Sequence, residues 1–370
     1  MALNKIRLGD YIQSSTANNR SLKYGVELIA GVTNEGIFTT PKGDVKDVNL
    51  KPYKIVNNGA FVYNPSRLNL GSIAYRTEGL CIVSHLYIIF YLTEEGKKII
   101  DPTYLYMYFR RGGFYREVTF RNFGSQRPEF NFKDMSDIII ALPDLPTQRK
   151  YAAVYEGMCE NQASYENGLE DLKLLCDAYI ENLRHETPLE KIGPYLTRHD
   201  LRNGPNGTKN VMGISTIKEF REPTAKVNRD ELSNYKVVKP RQIGFVQTTH
   251  NEKVFTYALN NTDEDIVVSS VNEVFSTDES KLLPEYLAMF FNRTEFDRYA
   301  RFHSWGSARE TFTWNDLVEV KIPIAPIEVQ QSIADIYNAY KKRKSINEQL
   351  KSQIKELCPI LIKGAIEEAS

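Results

Sequence analysis

Five histidines stand at positions 85, 185, 199, 250 and 303, and none has the spacing of a metal-binding pair. Cys81, Cys159, Cys176 and Cys358 form no CxxC pair, so neither a zinc site nor a disulfide framework is indicated. The sequence holds no GxGxxG, no GxxxxGK[ST], no HExxH and no GxSxG. No metal site and no covalent chemistry are expected of this chain. The residues left to do chemistry are arginines. Arg110, Arg111, Arg116, Arg121 and Arg127 face one acid, Glu117, before Glu129 is reached. Moved on by 182 positions, Arg111, Arg116 and Arg127 fall on Arg293, Arg298 and Arg309. Arginine is rarely buried unpaired, so core packing does not account for its repetition. Salt bridges to helix acids are one reading; phosphate contact by a planar, permanently charged fork is the other, and is preferred.

Small polar residues flank these arginines, in Asn122-Phe-Gly-Ser-Gln-Arg127 and Ser304-Trp-Gly-Ser-Ala-Arg309. Such loops let backbone approach a duplex, while Arg and Gln can pair bidentately with guanine and adenine edges. Asn64-Pro-Ser-Arg-Leu-Asn69 and Gln247-Thr-Thr-His-Asn251 follow matching Phe-Val pairs but differ in chemistry, as two readers of different sequences would. The candidate DNA contacts in the first half are Asn64, Ser66, Arg67, Asn69, Arg111, Arg116, Arg121, Ser125, Gln126 and Arg127. Those in the second half are Gln247, Thr248, Thr249, His250, Asn251, Arg293, Arg298, Arg301, Ser307 and Arg309.

The elements that must position these residues come in duplicate. The same offset of 182 pairs Tyr53-Lys-Ile-Val56 with Tyr235-Lys-Val-Val238, Pro102 with Pro284, Gly124-Ser125 with Gly306-Ser307, and Gln148 with Gln330. Ser84 and Ser269 are 185 apart, so short insertions lie between the blocks. The 370 residues therefore read as two copies of one unit. In each copy a strand-rich part comes first, 1–145 and 186–325. The runs Tyr53–Val62, Cys81–Leu92, Ile138–Leu142, Gly244–Leu259 and Asp265–Phe275 are β-branched or aromatic, and Pro102 and Pro284 open short helices. These parts are α/β or α+β domains. Long helices, 146–185 and 326–370, follow them. The first carries a seam through Tyr155, Met158, Leu169, Leu172, Cys176 and Tyr179. The second carries Tyr337, Tyr340, Ile354, Cys358 and Leu361, with an ambiguous centre where Lys344, Asn347 and Lys351 compete with Ile346 and Leu350. Two such helices are expected to pair as an antiparallel coiled coil.

Composition sets the outer bounds. Hydrophobic residues make up 42% and charged residues 25%, as in a globular protein. Lys+Arg and Asp+Glu are both 47, so any polyanion-binding face must come from segregated charge. Residues 1–145 hold 18 basic and 14 acidic side chains, against 18 and 20 in 186–325, so the second face is the weaker one. The start, Met1-Ala-Leu-Asn-Lys-Ile-Arg, has no apolar signal region, and Cys81–Leu92 is too short and polar to span a bilayer. A cytoplasmic protein with no membrane partner is expected.

This order of domain, helix, domain and helix resembles the specificity subunit of type I restriction-modification enzymes. The resemblance spans nearly the whole chain. It is carried by Leu-Pro-Asp-Leu-Pro-Thr-Gln148 and Ile-Pro-Ile-Ala-Pro-Ile-Glu-Val-Gln330, by Phe61-Val-Tyr-Asn-Pro-Ser-Arg67 with Gly71-Ser-Ile, and by the two Gly-Ser loops. It implies two target recognition domains, each reading one half of a split sequence in double-stranded DNA. It also implies helices that space the domains and dock two modification (methyltransferase) subunits, with restriction (endonuclease and translocase) subunits joining further out. S-adenosylmethionine, ATP and magnesium would then belong to those partners, and this chain would be non-catalytic. Two other classes stay open at this point. One is a duplicated protein-interaction scaffold without a DNA role. The other is a fused methyltransferase or nuclease, to which Tyr63-Asn-Pro-Ser66 and Pro128-Glu129 with Lys133 offer only incomplete motifs.

Overall fold

The β-branched runs of the sequence fold into short antiparallel strands. The computed structural model describes residues 3–41, 43, 45, 48–121, 129–205, 207–248, 254–304 and 310–370. Its helices are α1 (Glu94–Ile99), α2 (Pro102–Phe109), α3 (Gly112–Arg121), α4 (Phe132–Ser136), α5 (Leu145–Glu186), α6 (Pro284–Asn292), α7 (Thr294–Phe302), α8 (Trp314–Val318) and α9 (Ile327–Ala369). By density of contacts the chain forms two compact units. One comprises 1–166 with 346–370, the other 167–345. Each unit thus contains one strand-rich domain and a part of both long helices, a partition that cuts across the linear segments.

In the first unit a four-stranded antiparallel sheet runs in the order Ile12–Ser15, Ile88–Leu92, Phe61–Tyr63, Ile73–Tyr75. In the second unit Leu196–His199, Glu273–Thr277, Ile243–Phe245 and Tyr257–Leu259 take the same order. Alternation explains why the central strands are buried on both faces. Phe61 and Tyr63 join the cluster of Tyr104, Leu105 and Phe109 from α2, where the Phe61 and Phe109 rings meet edge-on at 6.0 Å. Val62 points the other way, to Val56, Cys81 and Val83 of a second pair of strands.

The long sequence runs are each two strands. Tyr53–Val62 divides into Lys54–Val56 and Phe61–Tyr63, which lie in different sheets. Asn57-Asn-Gly59 makes the break, with Gly59 at φ +83°, a left-handed backbone that suits glycine. Cys81–Leu92 and Asp265–Phe275 divide likewise, whereas the two strands in Gly244–Leu259 among the described residues are neighbours in one sheet. The helices opened by Pro102 and Pro284 are present. Asp101 caps α2 by accepting from the Tyr104 N–H at 3.0 Å.

At 42 and 43 residues, α5 and α9 are each about 63–65 Å long at 1.5 Å per residue. The α9 helix continues through Pro359. Within each unit their segments run antiparallel. In the first, Lys150 Nζ meets Glu368 at 2.8 Å, and Gln162 Nε2 donates to Asn347 Oδ1 at 2.8 Å. In the second, Cys176, Ile180 and Leu183 share a core with Ile333, Ile336 and Tyr337. Cys176, Cys358 and Leu361 are buried, while Tyr155, Met158, Leu169, Leu172, Tyr337, Tyr340 and Ile354 are half-buried. Tyr179 departs from the expected seam: it is 44% exposed and Ile180 is buried instead. A straight helix drifts by about 20° per heptad, so four heptads from Tyr151 shift the inward face by almost one residue. The ambiguous centre of α9 resolves onto Asn347 and Leu350, leaving Lys344 and Lys351 outside.

Candidate nucleic-acid interface

The strand Phe61–Tyr63 ends in a loop that its own backbone holds tightly. The Asn64 N–H donates to Ser72 O at 3.0 Å, and Asn64 Oδ1 accepts from the Ser66 N–H at 3.0 Å. Gly71 closes the loop at φ +96°. The loop is also tied from outside, because the Phe130 N–H donates to Pro65 O at 3.0 Å. Ser66, Arg67 and Asn69 are left exposed, whereas Asn64 is half-buried and occupied with the turn.

Helix α3 packs on the Leu68–Leu70 turn of this loop. Arg110, in the joint between α2 and α3, donates from Nη1 to the carbonyls of Gly71 and Asn34 and so fastens the loop to the helices. Phe114 and Val118 anchor the inner face of α3. Arg116 lies on the outer face, exposed and without a hydrogen-bond or ion-pair partner among the described residues. Arg121 is also outward but shared with Glu117 at 2.9 Å. Arg111 is committed locally: Nε donates to Tyr108 O at 3.1 Å, and the guanidinium lies 3.7 Å from the Tyr108 ring centroid. Ser125, Gln126 and Arg127 lie outside the described residues.

The second unit repeats the scaffold with other chemistry. The Phe312 N–H donates to Gln247 O at 2.8 Å, and both partners stand 182 positions after Phe130 and Pro65. Gln247 does not offer its amide outward, for Nε2 donates to Glu273 Oε1 at 2.6 Å. Glu273 is buried and gripped by both Nε and Nη2 of Arg198 at 2.7 Å. Thr248 is bridged to Thr311 through the backbone. Thr249, His250, Asn251, Ser307 and Arg309 lie outside the described residues.

Helix α7 buries Phe296 and Ala300 and exposes Arg298 and Arg301, neither of which has a polar partner among the described residues. Arg293, the counterpart of Arg111, is only 11% exposed. It binds Glu181 at 2.9 Å, Asp177 at 3.4 Å and Glu295 at 3.5 Å. The hydrogen bond from Arg293 holds the Glu181 carboxyl below the usual carboxylate range. Arg293 thus has the salt-bridge partners of the first reading, whereas Arg111 stacks on Tyr108 with no acidic partner among the described residues. Arg116 and Arg298 carry the outward reading.

Sequence reasoning passed over Phe120 and Phe302, the last turns of α3 and α7, which are 83% and 82% exposed. Their signal was available, since they too are 182 apart. Among the described residues, no group of three His, Cys, Asp or Glu side chains is placed to hold a metal ion. No helix there is long and apolar enough to cross a membrane.

Comparison with known proteins gives this duplicated scaffold a family. No curated protein matches the chain significantly. Among solved structures it is similar to the type I restriction-modification system S subunit from M. genitalium, at 12% identity and a TM-score of 0.65, covering 98% of this chain and 96% of that one. It also aligns with the HsdS subunit from Thermoanaerobacter tengcongensis at 16% identity and a TM-score of 0.41, covering 99% and 96%. The family model for the type I restriction modification DNA specificity domain matches twice, at residues 5–159 and 191–356. The fold duplicated in the two units is that of a DNA-recognition subunit, and the chain belongs to the type I restriction-modification DNA specificity family.

Proposed function

We propose that each domain reads one half of a split duplex target, with the faces built on α3 and α7 as the two contact surfaces. The observation that carries this reading is the duplicated pair Arg116 and Arg298, both outward and without a polar partner among the described residues, on helices whose inner faces are engaged in the cores. A guanidinium kept free of carboxylates can neutralise a phosphate and release its counterion. Arg67 and Arg301 extend the same charge, and Arg121 can exchange Glu117 for phosphate. Ser66, Asn69 and Thr248 are the described residues nearest to base edges in this scheme. The unlike chemistry of the two loops supports two different half-sites.

The long helices set the spacing of the two domains as a coiled coil and dock two modification subunits, with restriction subunits beyond them. Methyl transfer from S-adenosylmethionine and ATP- and magnesium-dependent cleavage fall to those partners, in the cytoplasm. This chain contributes sequence choice alone. The test is a domain exchange: residues 1–145 are replaced by the equivalent domain of a relative, and methylated adenines are mapped in DNA exposed to the assembled complex. One half of the recognised sequence should change and the other persist. A change in both halves would show that the domains do not read independently.

A further inference from the structure

We propose that Phe120 and Phe302 are apolar base contacts, one in each domain, that enter the duplex beside the phosphate-binding arginines. The proposal rests on the DNA-recognition reading above and adds to it two residues that carry no charge and no hydrogen-bonding group.

Exposure is the first observation. Phe120 and Phe302 are 83% and 82% exposed, and no other phenylalanine among the described residues is classed as exposed. A single exposed apolar residue is ordinary. The same residue type, at the same repeat position and with the same exposure in two copies whose neighbouring loops differ, is not.

The surroundings identify the occupant. Arg116 precedes Phe120 by four residues and Arg298 precedes Phe302 by four, which on a helix places guanidinium and ring on one face. Both arginines are exposed and lack polar partners among the described residues. Helix α3 further packs against the turn that follows the exposed Ser66 and Arg67. An apolar groove on a protein would leave these cations desolvated without compensation, whereas a duplex offers phosphates to the arginine and base faces or thymine methyls to the ring. Charge complementarity therefore favours DNA over a modification subunit as the occupant. The rings lie in the last turns of their helices, which end at Arg121 and Phe302. An arginine on the phosphate would thus hold the ring one turn further along.

The test uses the full-length chain assembled with its modification subunits. The probes are a duplex carrying the sequence found by methylation mapping and a scrambled duplex of equal length. Phe120→Ala and Phe302→Ala should each weaken binding of the mapped duplex about tenfold, or about 1.4 kcal/mol. Binding of the scrambled duplex should change less than about twofold, because it rests on phosphate contacts. Phe120→Tyr should restore most of the loss, and because the sites are exposed the melting temperature should not move. Unchanged affinity for the mapped duplex in both alanine variants overturns the proposal. So does loss of the modification subunits with DNA binding intact, which would make the rings protein contacts. If the unaltered complex does not prefer the mapped duplex, the recognition reading itself fails, which is a different result.

Discussion

Gln148 and Gln330, 182 positions apart and both fully buried, make the same three hydrogen bonds. Gln148 donates from Nε2 to Ile99 O and Pro143 O at 2.9 Å and accepts at Oε1 from the Asp101 N–H at 2.9 Å. Gln330 donates to Lys281 O and Ala325 O at 2.7 Å and accepts from the Leu283 N–H at 2.9 Å. Every partner moves by 182 as well. One amide in each unit thus fastens the first turn of a long helix to the segment that opens α2 or α6, so the helix cannot rotate without breaking buried hydrogen bonds.

Replacing Gln148 with Leu keeps the volume but strands two carbonyls and one N–H. At about 1–3 kcal/mol for a buried group left unsatisfied, the loss should reach about 2–4 kcal/mol with partial relaxation. Thermal or denaturant unfolding checks the size. Hydrogen exchange checks the place: the Asp101 amide should lose protection in Gln148→Leu while the Leu283 amide keeps it, and Gln330→Leu should give the reverse.

The repeated arginines should separate by role. Arg116→Ala should leave the melting temperature unchanged and weaken DNA binding across sequences, lowering the salt slope by about one. Arg293→Ala should instead destabilise its unit by about 1–2 kcal/mol, since it removes a charge-assisted hydrogen bond to Glu181 and an ion pair with Asp177, both partly exposed acids. Its salt slope should match that of the parent. Titrating binding against salt beside a melting curve reads both effects.

Acidity offers an independent check on the Arg293 contact. Its hydrogen bond lowers the folded-state pKa of Glu181 from an ordinary value of 4.5. A lowered pKa stabilises the fold above the unfolded value, and the contribution disappears as pH falls through the folded value. The gap in melting temperature between the parent and Glu181→Gln should therefore be full at about pH 6–7 and shrink progressively as pH falls below the ordinary value of 4.5. A gap that persisted in acid would mean that Glu181 acts through packing rather than charge.

The linear sequence determined the architecture. The recurrence of Pro102 at Pro284 and of Gln148 at Gln330, the spacing of Met158, Leu172 and Cys176, and the β-branched runs are properties of neighbours along the chain. Local backbone preference and side-chain periodicity express them directly. Tertiary structure decided which repeated residues face outward. Arg111 and Arg293 look like Arg116 and Arg298 in sequence, but the ring of Tyr108 claims one and Glu181, 112 residues away, claims the other. Helix phase drifts by only a fraction of a residue per heptad, yet accumulated over α5 it exchanges Tyr179 for Ile180. Phe120 and Phe302 match the buried phenylalanines in type, and only the packing of Phe114, Val118, Phe296 and Ala300 beneath them leaves their rings in solvent. Orientation toward a ligand is a property of what a helix packs against, and that surface is assembled from segments far apart in the chain.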